Sequence, residues 1–452
     1  MNLKISVKNF GPIKEGKVEL NDLNVFIGSN NAGKSYFATL VYTLLQSLSF
    51  SSKTRRIRLL GISVTPRFLI SKPRHAEKIN SLISTSSKDI LDKIITTYES
   101  EQEVSVDKQL LEPFYNATLD EFLTEFTTNL KRNMTSNLED IVRFGAQFFE
   151  IRISIGNDFI EFINEKNNLK IKNSKLTWRD IRFTRREALT KSNENLLMHG
   201  ENIYRRGKSV MIILSKTQMA RLFKPSKEGN LKTHRYSVDE FNFFLTDALE
   251  QAMPDLFNAP RVFYLPAARS GILQAHRIIA ANAVQLSPFF GINRIEIPQM
   301  SGTIADFLTL ILAIDLERSG LPGISKEFEK QIIHGHVDLK GKDQLSLTEI
   351  IYEFKKHKIP LNRASSTVSE LAPLFLLLKH VIREGNMVII EEPEAHLHPA
   401  NQKLLAKLIN VMVTKKVQLL ITTHSDFLLP NFLTAFIHYV LQVLIIAAHR
   451  NM

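Results

Sequence analysis

Residues Gly28–Ser35 read GSNNAGKS, a match to the phosphate-loop pattern G-x-x-x-x-G-K-[ST], which carries meaning only after a strand and before a helix. Both flanks are present. Leu23–Ile27 is a short apolar run that reads as a strand, and a helical pattern begins near Lys34. Glycines let the backbone curl so that its N–H groups and the helix N-terminus face an anion. Gly28, Asn30, Asn31, Ala32, Gly33, Lys34, Ser35 and Tyr36 are therefore candidate nucleotide-binding positions. Lys34 supplies a cation for the β- and γ-phosphate oxygens, and Ser35 a hydroxyl for Mg²⁺. ATP and Mg²⁺ are the expected ligands.

A second half-site lies far downstream. Met387–Pro399, MVIIEEPEAHLHP, is an apolar strand that delivers two adjacent carboxylates at its carboxyl end, where open α/β sheets bind ligands. Glu391 is the candidate Mg²⁺ ligand and Glu392 the candidate base for the attacking water; a surface turn is the alternative. Gln418–Leu428, QLLITTHSDFL, is another apolar strand with a histidine at its tip. His424 reads either as a contact to the γ-phosphate or as a structural histidine. Lys34, Glu392 and His424 form the candidate catalytic set.

The rest of the 452-residue chain divides into zones. Residues 1–75 contain the strand, loop and helix unit, preceded by an alternating N-terminus (MNLKISVKNFGPIKEG) that lacks the apolar core of a secretory signal. Residues 76–255 read as an inserted, basic arm, helical around Ile79–Tyr98 and Phe122–Arg132, then strand-like over Phe149–Ile163 and Leu169–Lys172. Residues 256–430 alternate apolar strands (Arg261–Leu265, Met387–Ile390, Gln418–Thr422) with helical stretches (Ala305–Leu316, Leu371–Arg383, Gln402–Met412). That alternation implies an α/β fold with a largely parallel sheet covered on both faces, completed by residues 1–75. Residues 431–452 read as an apolar C-terminal helix; the run Phe432–Ala448, broken by Thr434, His438 and Gln442, is short of the roughly 20 apolar residues of a membrane span.

Lys and Arg exceed Asp and Glu by 58 to 46, a net charge of +12. The surplus is dense in the arm, around Trp178 (Lys172, Lys175, Arg179–Arg186) and Tyr204 (Arg205, Arg206, Lys208). Basic residues interleaved with aromatics suit DNA or RNA; a solvated face with its aromatics turned inward is the other reading. The chain has no cysteine, which excludes disulfides and suits a reducing, cytoplasmic setting.

Phosphate loop, EEPEAHLHP strand and TTHS tip, in that order across a long insertion, resemble the ABC-type ATPases of the SMC and RecF kind. With NFGPIKEG and Tyr264–Leu273, YLPAARSGIL, they are more narrowly similar to the ATPase half of OLD-family nucleases and to stand-alone ATPases of bacterial anti-phage defence systems. The resemblance implies a P-loop NTPase fold of ABC type with a mixed or parallel sheet, an inserted α+β arm, and a homodimer bridged by ATP. It also implies a signature serine that binds the γ-phosphate held by the opposite subunit. In RASSTVSELAPLFLLLKHVI, Arg363–Ile382, that is Ser365 or Ser366, with Ser366 preferred and Thr367 standing where the family has glycine. An ordinary capping box, Thr367 with Glu370, fits the same residues. The family's Mg²⁺-sensing glutamine corresponds to Gln274 or Gln299, and Arg269 either faces phosphate or pairs with an acid. After His424 the only acidic residue is Asp426, so no two-metal nuclease site is expected there. A separately encoded effector, nuclease or toxin, is implied instead, with a DNA-loading or repair ATPase as the alternative and no membrane role.

Overall fold

The computed structural model describes residues 2–49, 103–185, 203–206, 209–214, 245, 248–275, 300–314, 320–340, 349–425, 427–428, 430, 432 and 441–445. An N-terminal hairpin, β1 (Lys4–Phe10) and β2 (Ile13–Glu19), leads into β3 (Leu23–Ile27) and α1 (Lys34–Leu48). Next come β4 (Glu103–Ser105), the long α2 (Lys108–Met134), β5 (Glu150–Ile155), β6 (Asp158–Glu165) and β7 (Asn168–Lys175). They are followed by β8 (Asp180–Arg185), β9 (Ile203–Arg206), β10 (Ser209–Leu214) and β11 (Val262–Leu265). Then come α3 (Gly302–Leu312), α4 (Pro322–Phe328), a π-helical turn (Glu329–Ile333), β12 (His336–Lys340), β13 (Glu349–Phe354) and β14 (His357–Pro360). Last are α5 (Ser366–His380), β15 (Met387–Glu391), α6 (Pro399–Thr414), β16 (Gln418–Thr423) and β17 (Leu441–Ile445).

The central sheet has the order β11-β15-β16-β3-β17, and every neighbouring pair in it is parallel. Its strands are apolar without a break because both faces are covered. Successive residues go to opposite cores. Val25, Leu265, Val388, Ile390, Leu419 and Ile421 join the core that contains Leu371–Leu378 of α5 and Leu405–Met412 of α6. Phe26, Tyr264, Met387, Ile389 and Leu420 join the core that holds Phe37, Leu40, Leu44 and Leu45 of α1. Each such fully buried side chain contributes about 1.5–3 kcal/mol. The register pairs Glu391 with Thr422 and Thr423 with Ile27, so three strand tips end side by side.

The predicted strands at 261–265, 387–390 and 418–422 fall on β11, β15 and β16. A second sheet, β2-β1-β5-β6-β7, is antiparallel throughout and shares the α1 core through Ile5, Val7, Ile151 and Ile153. The division drawn at residue 76 is therefore not one the sheets follow, since the strands at 150–175 continue the N-terminal hairpin by pairing β5 with β1. The sequence pattern marks strands but not their partners. The remaining sheets are β4-β8-β10-β9 and the meander β12-β13-β14.

The expected C-terminal helix over 431–452 is corrected at Leu441–Ile445; apart from Phe432, the rest of that stretch lies outside the described residues. Leu441–Ile445 is a strand that pairs with β3 in parallel, from Leu441↔Leu23 to Ile445↔Ile27. A short apolar run is compatible with either element, and the unpaired side of β3 supplies hydrogen bonds that an isolated apolar helix lacks. Among the described residues no helix is long and apolar enough to cross a membrane. The helical expectation at Ile79–Tyr98 lies outside the described residues.

Candidate functional site

The phosphate loop leaves the tip of β3 and closes on α1. Gly33 takes a φ of 99° as the residue before the helix, and a Cβ there would stand 2.7 Å from Ile13 Cγ1 and 3.1 Å from Pro12 Cγ. Only glycine meets both demands. Asn31 has a φ of 61°, in the left-handed region that asparagine tolerates. No side chain caps α1, and its first turn holds no acid. Its leading N–H groups thus face an anion site without a competing carboxylate. Asn30, Ser35 and Tyr36 are exposed at this mouth, and Ala32 is buried. Tyr36 lies over the hairpin turn, against Gly11 and edge-on to Phe10.

The Lys34 ammonium donates to Gly28 O at 2.8 Å and Ser29 O at 2.9 Å, and lies 3.3 Å from His424 Nδ1. On the far side of the imidazole, Nε2 is 3.3 Å from Glu392 Oε1. An ammonium can only donate, so Nδ1 is the acceptor and the proton on Nε2 faces the carboxylate. The structure thereby joins Lys34, His424 and Glu392, from three chain regions, into one polar row. Burial pulls Lys34 below the usual lysine range, an effect opposed by the charges of Glu392 and then Glu394.

Glu391 ends β15 buried. Its Oε2 accepts from Ala267 N at 3.3 Å, and its Oε1 is enclosed with no hydrogen-bond partner. A buried carboxylate oxygen left in that state is costly unless a cation completes it. Glu391 and the exposed Ser35 therefore fit a Mg²⁺ site. Glu392 has a φ of 42°, and its N–H donates to Thr422 O at 2.9 Å, which turns its side chain out of the sheet. Glu394 was not singled out from sequence. Its Oε1 accepts from Thr423 Oγ1 at 2.5 Å and His424 N at 3.0 Å, fixing the strand tip that carries His424. The third acid of EEPE, beside the TTHS tip, was the available signal.

Arg269 pairs with an acid, the second of the two readings open to it. It is 1% exposed, and its Nη2 lies 2.8 Å from Glu370 Oε1. Burial works against its charge, and Glu370 is the foremost carboxylate that supports it. Glu370 is thus committed to Arg269 rather than to a capping box. The cap of α5 is Ser365, whose Oγ accepts from Val368 N at 3.4 Å, and Thr367 Oγ1 instead donates to His396 O at 3.2 Å. Ser366 is the first residue of α5 and is exposed. Gln274 is exposed and lines a small cavity with Leu273, Ile311 and Leu361; Gln299 lies outside the described residues.

In the basic stretch, Lys172 pairs with Glu150 at 2.5 Å and Arg179 with Asp255 at 2.6 Å, while Trp178 stacks on Tyr115 at 4.0 Å. These described members are engaged within the chain. Arg186 and Lys208 lie outside the described residues.

Strand, loop and helix on a parallel sheet, with an acid-tipped strand two places along from the loop's strand, form a P-loop ATPase fold. Residues 1–65 and 292–429 match the AAA ATPase domain. The phosphate loop, α5, both glutamates and His424 all fall within those segments; β11 and Arg269 lie between them. No curated protein matches the chain. Similar solved structures include an SMC head bound to the C-terminal winged-helix domain of ScpA, at 12% identity over 95% of this chain and 91% of that one, TM-score 0.38. A Pyrococcus furiosus Smc head bound to the C-terminal domain of ScpA has 14% identity over 95% and 90%, TM-score 0.35. The Thermotoga maritima SMC head has 8% identity over 95% and 92%, TM-score 0.34.

Proposed function

We propose that this chain is a Mg²⁺-dependent ATPase of ABC type that closes as an ATP-bridged dimer and, through that cycle, controls a separately encoded effector such as a nuclease. The observation that carries the ATPase reading is the row Lys34–His424–Glu392 at the phosphate loop, beside a buried glutamate with an unsatisfied oxygen. ATP phosphates take the N–H groups of the loop and of α1, and compete with the Gly28 and Ser29 carbonyls for Lys34. Glu392 accepts the proton of the attacking water, and the Nε2–H of His424 orients that carboxylate. Ser35 and Glu391 hold Mg²⁺, which neutralises charge on the phosphate oxygens when bound. Ser366, exposed at the N-terminus of α5, meets the γ-phosphate of the opposite subunit, and two equivalent sites then make an isologous dimer.

The effector and the setting in anti-phage defence rest on the resemblance of NFGPIKEG, YLPAARSGIL and EEPEAHLHP to stand-alone defence ATPases. With Lys172 and Arg179 engaged in ion pairs within the chain, we prefer this to direct DNA loading. DNA binding by the isolated protein that falls steeply with salt would reverse that preference.

The test combines light scattering with ATP turnover for wild type, Glu392→Gln and Lys34→Ala. Glu392→Gln should accumulate as an ATP-dependent dimer while turnover falls about a hundred- to ten-thousandfold. Lys34→Ala should neither bind nor dimerise. Normal turnover in Glu392→Gln removes it as the base, and a mass indifferent to nucleotide in all three proteins removes the bridged dimer.

A further inference from the structure

Arg269 is the largest fully enclosed side chain of the described core; four of its five N–H donors are hydrogen-bonded to backbone carbonyls, and Nη2 also faces the Glu370 carboxylate as an ion pair. Nη1 donates to Glu391 O at 2.7 Å and Pro266 O at 3.1 Å. Nη2 donates to Glu392 O at 3.4 Å and lies 2.8 Å from Glu370 Oε1. Nε donates to Glu370 O at 3.2 Å, and the other Glu370 oxygen accepts from Ser270 N at 3.3 Å. One guanidinium thus ties together three pieces of backbone: the exit of β11, the exit of β15 that carries both acids, and the first turns of α5. Apolar packing would hold those pieces at lower desolvation cost. What the ion pair adds is direction. It makes the heights of the Glu391 and Glu392 carbonyls depend on where α5 stands, whereas a greasy contact lets them slide.

We infer that Arg269 and Glu370 are a positioning pair that ties the placement of the Glu391–Glu392 carboxylates to that of α5, so that phosphate captured at the start of α5 by the dimer sets the base for hydrolysis in the same subunit. The inference deepens the proposed function and rests on it. Neither residue touches ATP. The phosphate of one site is felt at the Ser366 end of α5, Glu370 sits one turn further along that helix, and Arg269 hands the displacement to the carbonyls on either side of the peptide that bears Glu392. The two sites of the dimer are thereby coupled, and turnover is cooperative in ATP.

The experiment measures kcat, KM, the Hill coefficient for ATP and the melting temperature of the full chain as wild type, Arg269→Lys, Glu370→Gln and Leu374→Ala. Leu374 is buried in α5 one turn beyond Glu370, so its variant loosens the helix by packing loss while both members of the pair remain. Either Arg269→Lys or Glu370→Gln, whichever folds, should lower kcat about ten- to a hundredfold with KM held within about threefold, and bring the Hill coefficient to about one. Leu374→Ala should melt earlier yet keep its cooperativity. Equal losses of kcat and cooperativity in Leu374→Ala and the pair variants at matched melting temperature would reduce the pair to a structural role, and so would an unchanged kcat. A wild type that binds and turns over no ATP overturns the ATPase reading itself and the coupling with it.

Discussion

Gly33 carries two separable demands, a left-handed φ and the absence of a Cβ beside Ile13. Gly33→Ala should lower stability by about 1–3 kcal/mol, read as a shift of the urea midpoint. Adding Ile13→Ala to it should relieve the steric part and leave the backbone part. If the double variant is no better at binding ATP than the single one, backbone conformation alone explains the glycine. Lys34, Glu391, Glu392 and His424 stand out in the sequence as candidates because a short motif fixes its own spacing and because apolar strands announce their polar tips, and the structure places Lys34, His424 and Glu392 side by side. Glu394 and the Arg269–Glu370 pair were not, since Glu394 bonds across 30 residues and Arg269 across about a hundred. Spacing along the chain carries no trace of such contacts.

At the level of single elements, α5 shows how closely spaced hydroxyls defeat a capping rule. Ser365, Ser366 and Thr367 can each cap, and the structure uses Ser365 because that start buries Val368, Leu371 and Leu374 on the core side. Ser365→Ala should cost about 1 kcal/mol by loss of the cap, measured by chemical denaturation. Ser366→Ala, at an exposed position, should leave the denaturation midpoint in place while weakening the ATP-dependent dimer. A large stability loss in Ser366→Ala would give that residue a role inside the subunit. β17 is illegible for a different reason: five residues, apolar but for Gln442, satisfy a helix or a strand equally, and the choice is made by β3, which has a free side to offer.

For the molecule as a whole, the α/β class and the parallel order of the main strands could be read in advance, because strands buried on both faces are apolar throughout. The second sheet, which joins residues 4–19 to 150–175, could not. The core around α1 also predicts an alkaline limit to stability. Burial first, and then the charge of Glu391, raise the Tyr264 phenol well above its usual range; burial and Asp306 do the same for Tyr42. Unfolded, both phenols ionise near pH ~10. Above that pH the unfolded chain sheds protons that the fold retains, so stability present below pH ~10 is lost as pH rises. Tyr264→Phe should flatten that decline between about pH 9.5 and 11 in urea midpoints. An unchanged slope would place the alkaline loss elsewhere.

The central strand β3 sits between β16 and β17, and Asn24 donates its side-chain N–H to Leu419 O, 395 residues later in the chain. The ribosome therefore makes the phosphate loop long before Leu419 and cannot finish the sheet around it until β16 and β17 have emerged. During that interval the loop's strand has neither of its neighbours, and long-range parallel pairing of this kind is slow. A chain interrupted before Met387 carries an intact GSNNAGKS and no Glu392 or His424 to set beside it, so on the proposed mechanism it holds no base for hydrolysis.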